Sequence, residues 1–209
     1  EQTHRNYSAV LTINPAAVNT INNRLRAVNY GGPLIETGVV PASFDTTNFF
    51  ARIDHRINDR NQLSARYSLY HINAVNSRTV GGLNAVSRGS GISDADQTLY
   101  LTNVTTLSSR TVNELRFQYT NSRLDAPIND EVGPAVNIAG VANFGTATFS
   151  PLARDINLLE IVDNVSTQFG DHSLKAGGGF LYNRLNILFP GAFQGVYNFS
   201  SLNNFLTGN

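Results

Sequence analysis

Along much of the chain, hydrophobic and polar residues alternate with a period of two. The stretch NFFARIDHRINDRNQLSARYSLY, residues 48–70, shows it clearly. Phe49, Ala51, Ile53, His55 and Ile57 hold the odd positions, with Asn48, Arg52, Asp54, Arg56 and Asn58 among the even ones. Beyond the polar stretch 58–61 the parity returns, with Leu63, Ala65, Tyr67 and Leu69 set against Gln62, Ser64, Arg66 and Ser68. Such alternation predicts strands with one apolar and one polar face. It recurs at residues 112–122, 158–169 and 173–183, less cleanly at 97–107, and at the ends over 6–13 and 195–199. The count is six to eight strands.

Paired residues share a sheet face, so apolar parity must match across each turn. Two odd sets around residues 59–61 call for an odd loop, and three residues with Asn61 in the left-handed region satisfy it. Ile57 then faces Leu63, Ile53 faces Tyr67, and Asp54 faces Arg66 as a polar cross-strand pair. Odd and even sets around Gly170 and Asp171 call for an even loop, and Gly at its first position suits a type II′ turn. Tight turns at 59–61, 108–111 and 170–171 alternate with long loops of Gly, Asn, Ser and Pro at about 72–96, 123–156 and 184–195. One helix is expected over about 15–28. Asn14 is its cap, Pro15 opens it, Gly31 and Gly32 stop it, and Val18, Ile21, Leu25 and Val28 form one stripe. Residues 1–45 thus hold a first strand and a helix-bearing loop. Residues 46–209 hold hairpins at about 48–70, 97–122 and 158–183, with a last strand at about 195–199.

The apolar face meets either a protein core or lipid. Long loops on one side, short turns on the other, and strands near the 9–11 residues that span a bilayer favour lipid. The polar face carries Arg52, Asp54, Arg56, Arg66, Glu114, Arg116, Glu160 and Lys175, as a lumen would. Tyr67, Tyr70, Tyr119 and Tyr182 fall where an aromatic girdle belongs. His55 and Asp163 lie on the apolar face, which costs least near an interface. Two competitors stay open. A self-contained eight-stranded barrel with a structural or adhesive role requires the first and last strands to pair. A soluble β-sandwich binding carbohydrate requires Phe49, Ile53, Leu63, Phe117 and Ile161 to converge on one core.

Composition removes several function classes. The 209 residues carry 15 basic and 15 acidic side chains, so no electrostatic footprint for nucleic acid is present. With no Cys there is no disulfide, thiolate metal site or cysteine nucleophile. No run of about 18 apolar residues marks a transmembrane helix. The chain opens on Glu1 without a signal peptide, as a mature, processed or partial chain would. His4, His55, His71 and His172 show no metal-ligand spacing, GGG at 177–179 lacks the Lys-Ser/Thr of a phosphate loop, and no serine sits in a nucleophile elbow. No enzymatic activity, cofactor or metal is expected. The loop 123–156 is rich in oxygen. Asp125, Asn129, Asp130, Glu131, Asn137 and Asn143 are candidates to meet a sugar, a peptide or loosely held Ca²⁺.

The segments TTNFFARIDHRINDRNQLSARYSLYHINAVNSR, RTVNELRFQYTNSRLDAP, VDNVSTQFGDHSLKAGGGFLYNR and FPGAFQGVYNFSSLNNFLTG also resemble, in order, the barrel region of TonB-dependent receptors. The likeness is to the Oar-like group of acidobacteria, whose members carry a carboxypeptidase-regulatory-like domain at the N-terminus. It implies an outer-membrane receptor with a barrel of about 22 strands around a plug, driven by an inner-membrane energy-transducing complex. The TonB box, the plug and most of the barrel have no counterpart here, so no energy-coupling residue is carried over. The expected fold is all-β: an antiparallel up-and-down transmembrane β-barrel wall of about 6–8 strands, a fragment of a larger barrel, in the outer membrane. Its expected partners are membrane lipid, the rest of the receptor barrel and its plug.

Overall fold

The computed structural model describes residues 1–208. The chain runs β1 (Gln2–Leu11), α1 (Pro15–Ala27), β2 (Gly38–Asn58), β3 (Asn61–Arg78), a 3₁₀ turn (Val86–Arg88), β4 (Ser90–Ser108) and β5 (Thr111–Ala126). It continues through β6 (Ala135–Ile138), β7 (Ala142–Phe144), β8 (Leu152–Phe169), β9 (His172–Leu188), β10 (Val196–Phe199) and α2 (Leu202–Thr207). Seven strands make one antiparallel wall in the order β1-β2-β3-β4-β5-β8-β9. β1 and β9 are its two edges and do not pair with each other, so this is an open wall and not a closed eight-stranded barrel.

The expected last wall strand at 195–199 is a correction. It is β10, which lies parallel to β6 in a separate sheet of order β10-β6-β7. After β9, Pro190 brings no N–H for a ladder, and Gly191 and Gly195, at φ +51° and +87°, turn the chain back over the loops. Wall strands other than β1 are 16–21 residues long, well beyond the span of a bilayer, and the excess stands at the long-loop end.

The first hairpin keeps its expected parity by a different device. Its loop is the two residues Asp59 and Arg60, with Asn58 paired to Asn61, and the extra residue is Ile57, which bulges from β2. None of Asp59, Arg60 and Asn61 has positive φ, so the turn is not of the primed kind that matches strand twist. The bulge adds local twist, which reconciles such a turn with the strands. The true register therefore runs two residues from the expected one: His55 faces Leu63, Ile53 faces Ala65, Ala51 faces Tyr67 and Asp54 faces Ser64. The β4–β5 hairpin repeats the design, with turn residues Ser109 and Arg110 and Leu107 in the bulge. In both, a side chain before the turn caps it: Asn58 Oδ1 accepts from Arg60 N (2.9 Å), and Ser108 Oγ from Arg110 N (3.2 Å). At the third turn Gly170 has φ +59° and Phe169 pairs with His172, as the sequence requires.

α1 begins as its residues dictate. Asn14 accepts from Ala16 N (2.8 Å), and Pro15 stands in the first turn. Val18, Ile21 and Leu25 are buried, but the helix stops before the glycines, because Asn29 takes φ +53° and Tyr30 N returns to Leu25 O (2.9 Å). Val28 is therefore exposed, and buried Asn22 joins the stripe, clasping Ile35 N and O at 2.9 Å each.

The long segments fold on one another instead of standing apart. Ile13, Val18, Ile21, Leu25 and Ile35 pack with Ala85, with Val136, Ile138, Ala142 and Phe144, and with Phe199, Leu202 and Phe205. Phe205 meets Phe144 edge-on at 5.7 Å and Phe199 at 5.4 Å. This cap, drawn from four segments, is the main buried core among the described residues.

Candidate functional site

The ladders place the apolar residues of neighbouring strands at one level. Ile53, Ala65, Leu101, Phe117, Ile161 and Phe180 form one continuous row across six strands. The next row towards the long loops is Ala51, Tyr67, Leu99, Tyr119, Leu159 and Tyr182. No described residue covers this face: Ile53 is 69% exposed and Phe180 59%. The sandwich competitor is overturned, since Phe49, Ile53, Leu63, Phe117 and Ile161 line an open surface and not a closed core.

Polar rows bound the apolar band. Above the tyrosines lie Gln97, Asn121, Asn157 and Arg184, in line with Phe49 and Leu69. Tyr67 Oη donates to Gln97 Oε1 (2.8 Å), and Tyr119 Oη to Asn157 Oδ1 (2.9 Å). Rings in the apolar row with hydroxyls in the polar row are what an interfacial girdle requires. Tyr70 is a correction: it sits between Asn48 and Asp96 on the opposite face, so its even position placed it with the lumen residues. Below the band, His55, Asn103 and Asp163 share one row near the short turns, where Asn113 Nδ2 donates to Asp163 Oδ1 (2.6 Å). The two polar intruders on the apolar face thus lie at its margin.

The other face is polar. One row holds Arg52, Arg66, Tyr100, Gln118 and Glu160; the next holds Asp54, Ser64, Thr102 and Arg116. The expected Asp54–Arg66 cross-strand pair is corrected by the Ile57 bulge. Asp54 takes Arg52 of its own strand (Nε–Oδ2 2.8 Å), while Arg66 lies 5.8 Å over the Tyr100 ring. Of the glycines at 177–179, Gly177 and Gly179 approach β8 closely, since a Cβ on Gly177 would lie 2.5 Å from Asp163 O, while one on Gly178 would meet open space.

The cap sits against this polar face at the long-loop end. Ala9, Leu11 and Val40 of the wall pack with Val80 and Val86, and Ala42, Ala74 and Ala126, on the same face, are buried. Small residues recur where the cap crosses the wall because only they admit so close an approach.

The cap draws most of the candidate loop residues into its own fabric. Asp130 is 1% exposed and accepts from Tyr30 Oη (2.7 Å), Val132 N (2.9 Å) and Gly133 N (3.3 Å). Burial and this carboxylate hold the Tyr30 phenol above its ordinary value. Asn129 Nδ2 bridges Asn76 Oδ1 and Val86 O, both 2.9 Å. Asn137 and Asn143 face each other in β6 and β7 and extend to Asn198 (2.8 Å) and Asn84 (2.9 Å), a ladder of four amides across four segments. Asp125 lies next to the end of β5, opposite Ser93 and Ala153, and Glu131 is exposed, its carbonyl accepting from Gln194 Nε2 (3.0 Å). Sequence reasoning missed Arg88, which lies under the cap with Arg78 and Ser90 beside one cavity. Nothing in the alternation of short turn-like segments marks such a residue.

Comparison with curated proteins and with solved structures gave no match. A family model described as outer membrane beta barrel domain matches residues 2–209. The apolar band is accordingly the surface that meets membrane lipid, with the polar face towards a lumen. The chain belongs to the outer membrane beta barrel domain family, and its place is the cell outer membrane.

Proposed function

We propose that this chain is the wall section and cap of a receptor-type transporter of the TonB-dependent class, of the Oar-like kind, with no catalytic role. Further strands complete the barrel, a plug fills the lumen, and an inner-membrane complex supplies the energy. The observation that supports this reading is the open wall. β9 leaves one side of a 17-residue strand unpaired at the depth of the apolar band, and β1 covers only the upper half of β2, from Gly38 to Thr47. Unpaired backbone in hydrocarbon costs several kcal/mol per group, so such edges demand neighbouring strands. The polar face, with charges of both signs, suits a lumen packed by a plug.

The absence of Cys makes single-cysteine reporters clean. With Gln118→Cys on the lumen face and Glu131→Cys on the exposed loop, intact cells are treated with a water-soluble maleimide. A plugged, energised receptor labels at Gln118→Cys at least tenfold more slowly than at Glu131→Cys, and the lumen rate changes when the proton gradient is collapsed. Equal rates at both sites, indifferent to the gradient, describe an open pore and overturn the reading.

A further inference from the structure

Between the cap and the upper end of β3 and β4 lies a cavity of about 200 Å³, lined by Arg78, Asn84, Arg88, Ser90, Thr148 and Ser150 among others. Its wall is built from two stretches far apart in sequence, 78–90 and 137–150. Arg88 is 7% exposed; its Nη1 donates to Thr146 O (2.6 Å) and its Nη2 reaches Thr148 Oγ1 (3.4 Å), both uncharged partners. The Arg78 side chain makes no hydrogen bond or ion pair among the described residues. No Asp or Glu lines the cavity. Ser90 and Ser150, at 2% and 3% exposure, have hydroxyls without a partner among the described residues, and Asn84 keeps its Nδ2 free among them, since only its Oδ1 is used.

We propose that this cavity binds a small oxyanion group, a carboxylate, sulfate or phosphate, on the lumen side of the wall. Two guanidiniums without an acid, one of them nearly buried, place positive charge where water screens it poorly. Burial pushes the Arg88 guanidinium down from its ordinary value, and an anion in the cavity opposes that push. The lining groups left without a partner include donors of three kinds: the Arg78 guanidinium, the Asn84 amide N–H and the hydroxyls of Ser90 and Ser150. Guanidiniums match the paired oxygens of such anions, and hydroxyls complete the shell. The amide ladder of Asn84, Asn143 and Asn137 fixes one side of the cavity, so the donors are held in place before a ligand arrives. The assignment stands whether or not uptake is energised.

The test is calorimetric titration of the purified full-length protein in detergent with inorganic phosphate, sulfate and acetate. Saturable binding of at least one anion is expected. Arg78→Gln, which removes no side-chain hydrogen bond or ion pair within the described chain, weakens it tenfold or more with an unchanged unfolding temperature. Arg88→Gln abolishes binding but also loosens the cap, because Thr146 O loses its donor. Release of co-purified lipid A on adding phosphate makes a lipid headgroup the natural source of the anion; binding without release makes it a soluble ligand. No saturable binding of any of the three to folded protein, or an unchanged affinity in Arg78→Gln, overturns the proposal.

Discussion

Ile53 and Ser64 are close neighbours across the first hairpin, yet their side chains leave the wall on opposite faces, one to lipid and one to the lumen. Ile53→Arg puts a cation in the middle of the apolar band, where about 2–4 kcal/mol of stability is lost. Ser64→Lys beside Asp54 changes stability by no more than roughly 0.5 kcal/mol. Denaturant unfolding in phospholipid vesicles separates the two. Tyr30 gives a second prediction. Its raised folded value means the folded state keeps the phenol proton where the unfolded chain has shed it. The stabilisation is therefore fully present below the ordinary phenol value near 10 and lost as pH rises beyond it. Phenolate absorbance should show one tyrosine titrating last, together with opening of the cap. Tyr30→Phe removes that late step and costs about 1–3 kcal/mol, since it strips Asp130 of a donor. Residue by residue, the two faces of the wall were legible because period-two alternation is a direct image of the pleat. The Asp54–Arg66 pair was misread because one bulged residue slides the register by two without disturbing parity.

At the scale of the element, the hairpins make the bulge consequential. Deleting Ile57 removes the bulge but keeps Asn58 opposite Asn61 and Arg56 opposite Gln62, so every later pair and both faces of the wall are preserved. What is lost is the added twist that fits the turn to the strands. Heat-modifiable migration, the mark of a folded barrel on a gel, should persist, with an unfolding temperature below that of Ile57→Val. The deletion of Leu107 in the twin hairpin should act in the same way. Turn positions, helix start and most wall strands were visible in the sequence through Asn14, Pro15, Gly170 and the polar stretches, whereas β6 and β7 read as loop and β10 as a wall strand. Strand length was not. The alternation fades above the membrane, where both faces of a strand meet polar surroundings, and the upper halves of β2 and β3 therefore read as loop.

At the scale of the molecule, both edges of the wall are free to pair. Expressed alone, the chain should associate in detergent through β9 and the lower half of β2, with a sedimentation coefficient that rises with concentration. A concentration-independent monomer would contradict this. The cap was the least legible part. Its core joins residues more than 180 positions apart, from Ile13 to Phe205, and no local pattern signals which loops will meet. Its oxygen-rich residues looked like solvated ligands because a buried Asn and an exposed one are the same letter.

The composition of that core also sets a calendar for assembly. Phe199 and Phe205 close the aromatic cluster around Phe144, and they lie beyond the last strand of the wall. The cap cannot mature until every strand before it has been laid down. Its closure therefore reports that these seven strands are in place and in register, a report that a stalled or misregistered wall would fail to give, leaving the loops open to proteases outside the cell.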